Sequence, residues 1–291
     1  MNISQALAEA LSRGLDRLDA QLLMLHALGH AAHDRAWLLA HDTDPLTPLA
    51  HTAFEACMQR RAAGEPLAYI TGHKEFFGLD LEVDARVLVP RPDTETLVAW
   101  ALEVLDAATT MGAGPLAPPT SVLDLGTGSG AVALALKHQR PQVQVSATDF
   151  SHEALAVARA NAQRLKLGVQ FSQGSWLAHV SAHYHAIVSN PPYIAAQDAH
   201  LAALAHEPLQ ALASGADGLD DIRHIVSQAP AHLHPGGWLL LEHGYDQAAP
   251  VRELLTAAGF GQVQSRRDLS GIERCSGGMH TGFGAVAPKV K

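Results

Sequence analysis

Between residues 122 and 266 the chain alternates strand-like runs with segments of helical period, and no other feature restricts its folding so sharply. The strand-like runs are 122–125, 143–148, 169–172, 184–189, 237–242 and 262–266. Segments 131–138, 151–165, 217–232 and 248–259 have helical character and sit among them. Joining parallel strands requires a crossover, and a parallel sheet buries both faces under its crossover helices. The alternation therefore predicts an α/β domain with a doubly covered, mainly parallel sheet.

The stretch before it reads differently. Leu7, Leu11, Leu15, Leu18, Leu22, Leu25 and Leu28 recur at three- and four-residue spacing, followed by Trp37, Phe54 and Met58. That period predicts a small helical bundle, closed by Gly64-Glu65-Pro66. Residues 67–71 and 76–83 read as two short strands turning at Gly72-His73. Pro92 is suited to opening a helix from Asp93 to about Ala107, and residues 108–120 read as a linker. The expected organisation is a helical domain over 1–65, a β-hairpin connector over 66–91 and an α/β domain over 92–291.

Composition narrows the function classes. Apolar residues make up 47% of the chain, enough for a buried core. No run approaches the roughly 20 apolar residues of a membrane span, and the first residues lack the basic-then-apolar order of a signal peptide. The two cysteines, Cys57 and Cys275, provide no disulfide framework, so a cytoplasmic setting is expected. Twenty basic against 29 acidic side chains leave a net charge of −9, and no basic stripe is visible. Nucleic acid is thus an unfavourable main substrate.

Two motifs carry chemistry. The first, Asp124-Leu125-Gly126-Thr127-Gly128-Ser129-Gly130, follows a strand and opens a helix. Its glycines let the backbone turn sharply and let a ligand lie against bare main chain. Asp149, ending the next strand, is placed to grip ribose hydroxyls. Gly126-x-Gly128-x-x-Ala131 also fits the loose dinucleotide fingerprint, so this loop alone indicates a nucleoside-containing cofactor. A merely structural turn is the competing reading.

The second motif is Asn190-Pro191-Pro192-Tyr193, directly after a strand. Two prolines stiffen the chain and remove two donors, leaving carbonyls free. The Asn190 oxygen and the Pro191 carbonyl suit the two protons of a planar NH₂ group, with Tyr193 packing its flat face. Such a pocket aims a weakly nucleophilic nitrogen at an electrophilic carbon by positioning alone. Hydride transfer has no use for it, which favours S-adenosyl-L-methionine as cofactor and S-adenosyl-L-homocysteine as product. An ordinary proline turn is the alternative.

These motifs occur in order with Glu65-Pro66-Leu67-Ala68-Tyr69-Ile70-Thr71-Gly72, Phe76-Phe77-Gly78-Leu79 and Val89-Pro90-Arg91-Pro92-Asp93-Thr94-Glu95. Together they closely resemble the HemK/PrmC family of protein-(glutamine-N5) methyltransferases. The resemblance implies a Rossmann-like class I S-adenosylmethionine-dependent methyltransferase sheet of seven strands, the last antiparallel. It also implies that the acceptor is the Gly-Gly-Gln glutamine of class I peptide chain release factors, and the helical domain is expected to dock them. By the same resemblance Asp124, Gly126, Thr127, Gly128, Ser129, Gly130, Asp149, Trp176 and Asn190 contact the cofactor. Asn190, Pro191, Pro192 and Tyr193 then hold the acceptor amide, with Asn190, Pro191 and Tyr193 performing the catalysis. Arg91 and Glu95 are implied near the mouth of the site, a helix-opening salt bridge between them being the other reading. One departure is Ala205-His206-Glu207-Pro208, where many members have Arg-Phe-Glu-Pro.

Three alternatives have less support. An N6-adenine nucleic-acid methyltransferase makes the same demands on Asn190-Pro191-Pro192-Tyr193, but the acidic balance opposes it. A silent nucleoside-binding adaptor leaves the intact motif without a purpose. The histidine groups 179/183/185 and 232/234 lack metal-ligand spacing, so no metal is expected.

Overall fold

A computed structural model describes residues 1–111 and 119–282. They form two compact units, divided between His73 and Lys74.

The first unit is helical: α1 (Ile3–Ser12), α2 (Arg17–Leu28), α3 (Arg35–Ala40), α4 (Pro48–Ala62) and α5 (Leu67–Thr71). Local signals set its boundaries. Asn2 and Gln5 form a reciprocal capping box at α1, Asp16 caps α2, and Thr47 caps α4 with Pro48 in its first turn. Gly29 ends α2 in the left-handed conformation, at φ 75°. The leucine stripe meets as expected: Ile3, Leu23, Met24, Leu25, Leu38, Phe54, Met58 and Ile70 share one core.

Residues 67–71, expected as a strand, are the helix α5. Ala68, Tyr69 and Ile70 are buried in succession, which no two-faced strand achieves. Pro66 and a left-handed Gly72 bracket a helix of five residues, and Ile70 enters the helical core. The hairpin lies later. It pairs β1 (His73–Phe76) with β2 (Leu79–Glu82), turning at Phe77-Gly78.

In the second unit a 3₁₀ turn at Pro92–Thr94 leads into α6 (Glu95–Met111). The helix thus covers the first residues of the expected linker, and 112–118 lie outside the described residues. The alternation then proceeds through β3 (Ser121–Leu125), α7 (Ala131–Gln139), β4 (Gln144–Asp149), α8 (His152–Leu165), β5 (Gln170–Gln173) and β6 (Tyr184–Ser189). It continues with α9 (Asp220–Gln228), β7 (Leu233–Glu242), α10 (Ala248–Ala257), β8 (Phe260–Arg267) and β9 (Glu273–His280). The seven strands run in the order β5-β4-β3-β6-β7-β9-β8. β9 alone runs against the other six strands, pairing β7 on one side and β8 on the other.

This is the class I methyltransferase sheet, with the antiparallel last strand that the resemblance implied. Leu123, Leu125, Ile187, Leu239 and Leu241 meet Ile222, Ile225, Val251 and Leu255 of α9 and α10 on one face. Alternate strand residues face α6 and α7 on the other. Each such fully buried leucine or isoleucine contributes roughly 1.5–3 kcal/mol. Among the described residues, no helix is long and apolar enough to cross a membrane.

The strand order places the site. Parallel neighbours leave β3 on opposite sides, β4 and β6, so the loops after these strands face one crevice at their C-terminal ends.

Candidate active site

The glycine loop turns from β3 into α7 with Gly126, Gly128 and Gly130 all left-handed, at φ 70°, 55° and 86°. The Gly126 and Thr127 N–H groups both donate to the Thr148 carbonyl, at 2.9 and 3.0 Å, tying the loop to β4. Asp124 lies beneath it, 2% exposed. Its carboxylate accepts from the Thr127 hydroxyl at 2.6 Å and the Ala133 N–H at 3.2 Å. Burial pushes its pKa up to about 7, and those two donors act against the rise. Asp124, Thr127, Ser129 and Gly130 therefore shape the loop, while Gly126 and Gly128 face a cleft of about 260 Å³.

Asp149, Phe150, Trp176, Asn190 and Pro192 also line that cleft. The two Asp149 oxygens accept from the N–H groups of Gly128 and Ser151, each at 2.8 Å, and each keeps a lone pair for a further donor. Burial raises its pKa despite these bonds. Trp176 sits in the left-handed region at φ 51° and donates its indole N–H to Asp221 at 3.0 Å. A Cβ on Gly126 would come within 3.2 Å of that indole, so the backbone there must stay bare. Bare main chain, a carboxylate and the flat faces of Trp176 and Phe150 form a donor set suited to a nucleoside with a charged tail.

The opposite wall comes from the segment after β2. Asn161, fully buried on α8, accepts from the Glu82 N–H at 2.7 Å and donates to the carbonyls of Glu82 and Ser129, at 2.9 and 3.0 Å. One side chain thereby joins hairpin, helix and glycine loop, and Arg86, Val87 and Leu88 follow along the cleft.

At the end of β6, the buried Ser189 hydroxyl donates to the Leu125 carbonyl at 2.8 Å. Pro191 and Pro192 are buried. Asn190 donates its Nδ2 to the Thr94 hydroxyl at 3.2 Å, which commits the nitrogen end and leaves Oδ1 as an acceptor. The Tyr193 carbonyl accepts from Gln247 at 3.0 Å, and its hydroxyl reaches Glu242 Oε1 at 3.5 Å. Burial and the neighbouring Glu242 raise the Tyr193 phenol. Glu242 is itself 0% exposed, and burial lifts its pKa to about 7.

Several of these residues escaped the sequence reading. Thr94 lies inside a motif that assigns it no role, and neither Glu242 nor Gln247 falls in a motif. The available signal was a carboxylate ending the otherwise apolar Leu239-Leu240-Leu241 run at a strand terminus, as Asn190 does. The salt bridge considered for Arg91 and Glu95 does not form. Arg91 pairs with the buried Glu207, which also accepts from the Val89 N–H at 3.1 Å, and Glu95 accepts from the Phe77 N–H at 3.2 Å. Glu207 belongs to the segment that departs from the usual family pattern. Among the described residues, no three His, Cys, Asp or Glu side chains converge as a metal site.

Comparison with known proteins agrees with this geometry. Residues 2–72 match the PrmC N-terminal domain and residues 98–217 the methyltransferase small domain. A release factor glutamine methyltransferase from Bordetella pertussis is 51% identical over 269 residues, covering 91% of this chain and 95% of that protein. One from Xylella fastidiosa is 47% identical, covering 96% and 98%. In fold, the chain is similar to a methyltransferase from Pyrococcus furiosus (TM-score 0.51, 22% identity, 78% of this chain and 97% of that one). With about half its residues identical to those relatives across nearly the full length of both partners, the chain belongs to the release factor glutamine methyltransferase family.

Proposed function

We propose that the protein methylates the side-chain amide nitrogen (N5) of a protein glutamine, the one in the Gly-Gly-Gln motif of class I peptide chain release factors, in the cytoplasm. The observation that carries this reading is the committed carboxamide of Asn190, whose Nδ2 is spent on Thr94 and whose Oδ1 is left as an acceptor. When bound, S-adenosyl-L-methionine supplies an electrophilic sulfonium methyl and leaves as S-adenosyl-L-homocysteine. Gly126 and Gly128 would lie along its methionine part, Asp149 would accept from the ribose hydroxyls, and Trp176 would cover the adenine.

An amide nitrogen is a poor nucleophile because its lone pair is delocalised. Asn190 Oδ1 and the Pro191 carbonyl each accept one of its protons, so it cannot rotate away. Tyr193 packs the flat amide and excludes water. Alkylation makes the nitrogen strongly acidic, and its proton departs without a tuned base. The work is positioning and fixed polarity. Because a lone glutamine side chain offers little contact area, the helical unit is assigned the docking of the release factor. Buried, free Cys57 and Cys275 support a reducing compartment.

The test is mass spectrometry of release factor incubated with enzyme and S-adenosyl-L-methionine. One methyl on the Gly-Gly-Gln glutamine is expected; transfer to adenine N6 of duplex DNA instead would reject the reading. Removal of residues 1–73 is expected to abolish methylation of intact release factor while cofactor binding persists.

A further inference from the structure

We propose that Glu207 is a positioning residue for the cofactor: it clasps the loop after β6 to the segment after β2 and so sets how long the cofactor stays in the cleft that both line. This inference rests on the reading of that cleft as the S-adenosyl-L-methionine site.

Two segments outside the sheet contribute to the cleft. Arg86, Val87 and Leu88 come from the stretch between β2 and the 3₁₀ turn at Pro92–Thr94, and Pro208, Gln210 and Ala211 from the loop that follows Tyr193. Neither belongs to a strand or an α-helix that would hold it. Pro90 and Pro92 carry no N–H, so the first segment cannot pair as a strand. The second leaves β6, makes two 3₁₀ turns at Ala199–Leu204 and Leu209–Ala211, and returns. Its base is closed, since the Ile194 N–H donates to the Leu212 carbonyl and the Ser214 N–H to the Ile194 carbonyl, each at 2.9 Å. A loop tied only at its base keeps freedom beyond the knot.

Glu207 supplies a second tie. Its side chain is 2% exposed. Oε2 accepts from the Val89 N–H at 3.1 Å, and Oε1 accepts from the Arg91 guanidinium. Two donors placed two residues apart on one segment fix its direction as well as its position. An apolar residue at 207 would fill the space without setting either, and a buried carboxylate is costly unless it is partnered. At the other end of the same segment, Asn161 holds both the N–H and the carbonyl of Glu82. Arg86, Val87 and Leu88 lie between these two anchors, so releasing one frees the residues that line the cleft.

The test measures S-adenosyl-L-methionine binding to the full chain by stopped-flow fluorescence, and hydrogen exchange of the enzyme without cofactor by NMR. Glu207→Ala is expected to raise the cofactor dissociation rate about 10- to 100-fold, with the association rate changed less than about threefold. Glu207→Gln keeps an acceptor for the Val89 N–H and loses the charge that pairs with Arg91. Its effect should be smaller, and it serves if the alanine variant folds poorly. Arg91→Gln should match Glu207→Gln, and the double variant should be no worse than either single one, because both remove the same contact. On release factor, KM for the cofactor should rise more than kcat falls. The Val89 N–H should exchange at least about tenfold faster in Glu207→Ala, while that of Val188, in the central strand β6, is unaltered; this separates local release from general destabilisation. Wild-type dissociation rates in Glu207→Ala, additive effects of the two glutamine variants, or equal loss of protection at Val89 and Val188 would overturn the proposal. If the wild type binds no S-adenosyl-L-methionine, the cofactor reading fails and this inference falls with it, whereas binding that every variant shares unchanged overturns this inference alone.

Discussion

Asn190 meets two requirements at once, since it must be held rigid and yet keep one polar end unspent. Thr94 satisfies the first through Nδ2, and the adjoining prolines stiffen the chain around it. Truncation to alanine removes the acceptor and leaves the cofactor cleft in place. Asn190→Ala is therefore expected to lower kcat by about 10²-fold or more, with a much smaller loss of S-adenosyl-L-methionine affinity by calorimetry, since Asn190 also lines the cleft. A near-normal rate would show that the amide is held elsewhere. Asn190-Pro191-Pro192-Tyr193 was legible because its chemistry is contiguous. Thr94 was not, because it reaches Asn190 from 96 residues away and threonine has no distinguishing chemistry until its neighbours are known.

At the scale of elements, glycine acts where backbones approach one another. Gly218, at φ 77°, precedes α9, and a Cβ there would stand 2.2 Å from the Tyr193 carbonyl oxygen and 2.7 Å from Gln247 Nε2. Gly271 has a similar φ of 81° with nothing within 4 Å. Gly271→Ala should cost about 1 kcal/mol of conformational strain, and Gly218→Ala about 2–4 kcal/mol with an added loss of turnover. Urea unfolding of the two variants side by side measures the difference, and equal shifts would contradict the contact argument. The same closeness hid β9 from the residue pattern. A Cβ on Gly277 would meet Leu240 Cδ2 at 2.6 Å, and one on Gly278 would meet Phe260 Cβ at 2.7 Å. A strand wedged between two others has given up the apolar side chains by which strands are recognised. In α5 the failure had the opposite cause, because Tyr69, Ile70 and Thr71 carry strand propensity that the burial of Tyr69 and the packing of Ile70 in the helical core overrode.

For the molecule as a whole, the buried acids make stability depend on pH. Asp124 and Glu242 are raised from 3.8 and 4.5 to about 7, so the folded chain binds these protons more tightly than the unfolded chain. Their contribution is complete below the unfolded values and is lost as pH rises through about 7. The thermal midpoint of the wild type should therefore fall between about pH 5 and pH 8 relative to Asp124→Asn, which lacks one of the titrations. Parallel curves for the two proteins would disprove the account.

Read alone, the chain determined its class: the alternation after residue 121 requires a covered parallel sheet, the leucine period requires a helical unit, and two contiguous motifs name their chemistry. These are short-range properties, set by the period of side chains along one element and by turns only glycine or proline makes. Tertiary structure alone decided that Arg91 pairs with Glu207, that Asn161 ties hairpin to glycine loop, and that Thr94 stands behind Asn190. Each of those contacts joins residues far apart in the chain, and its energy comes from excluding water around a polar pair, a condition that exists only once the sheet has formed.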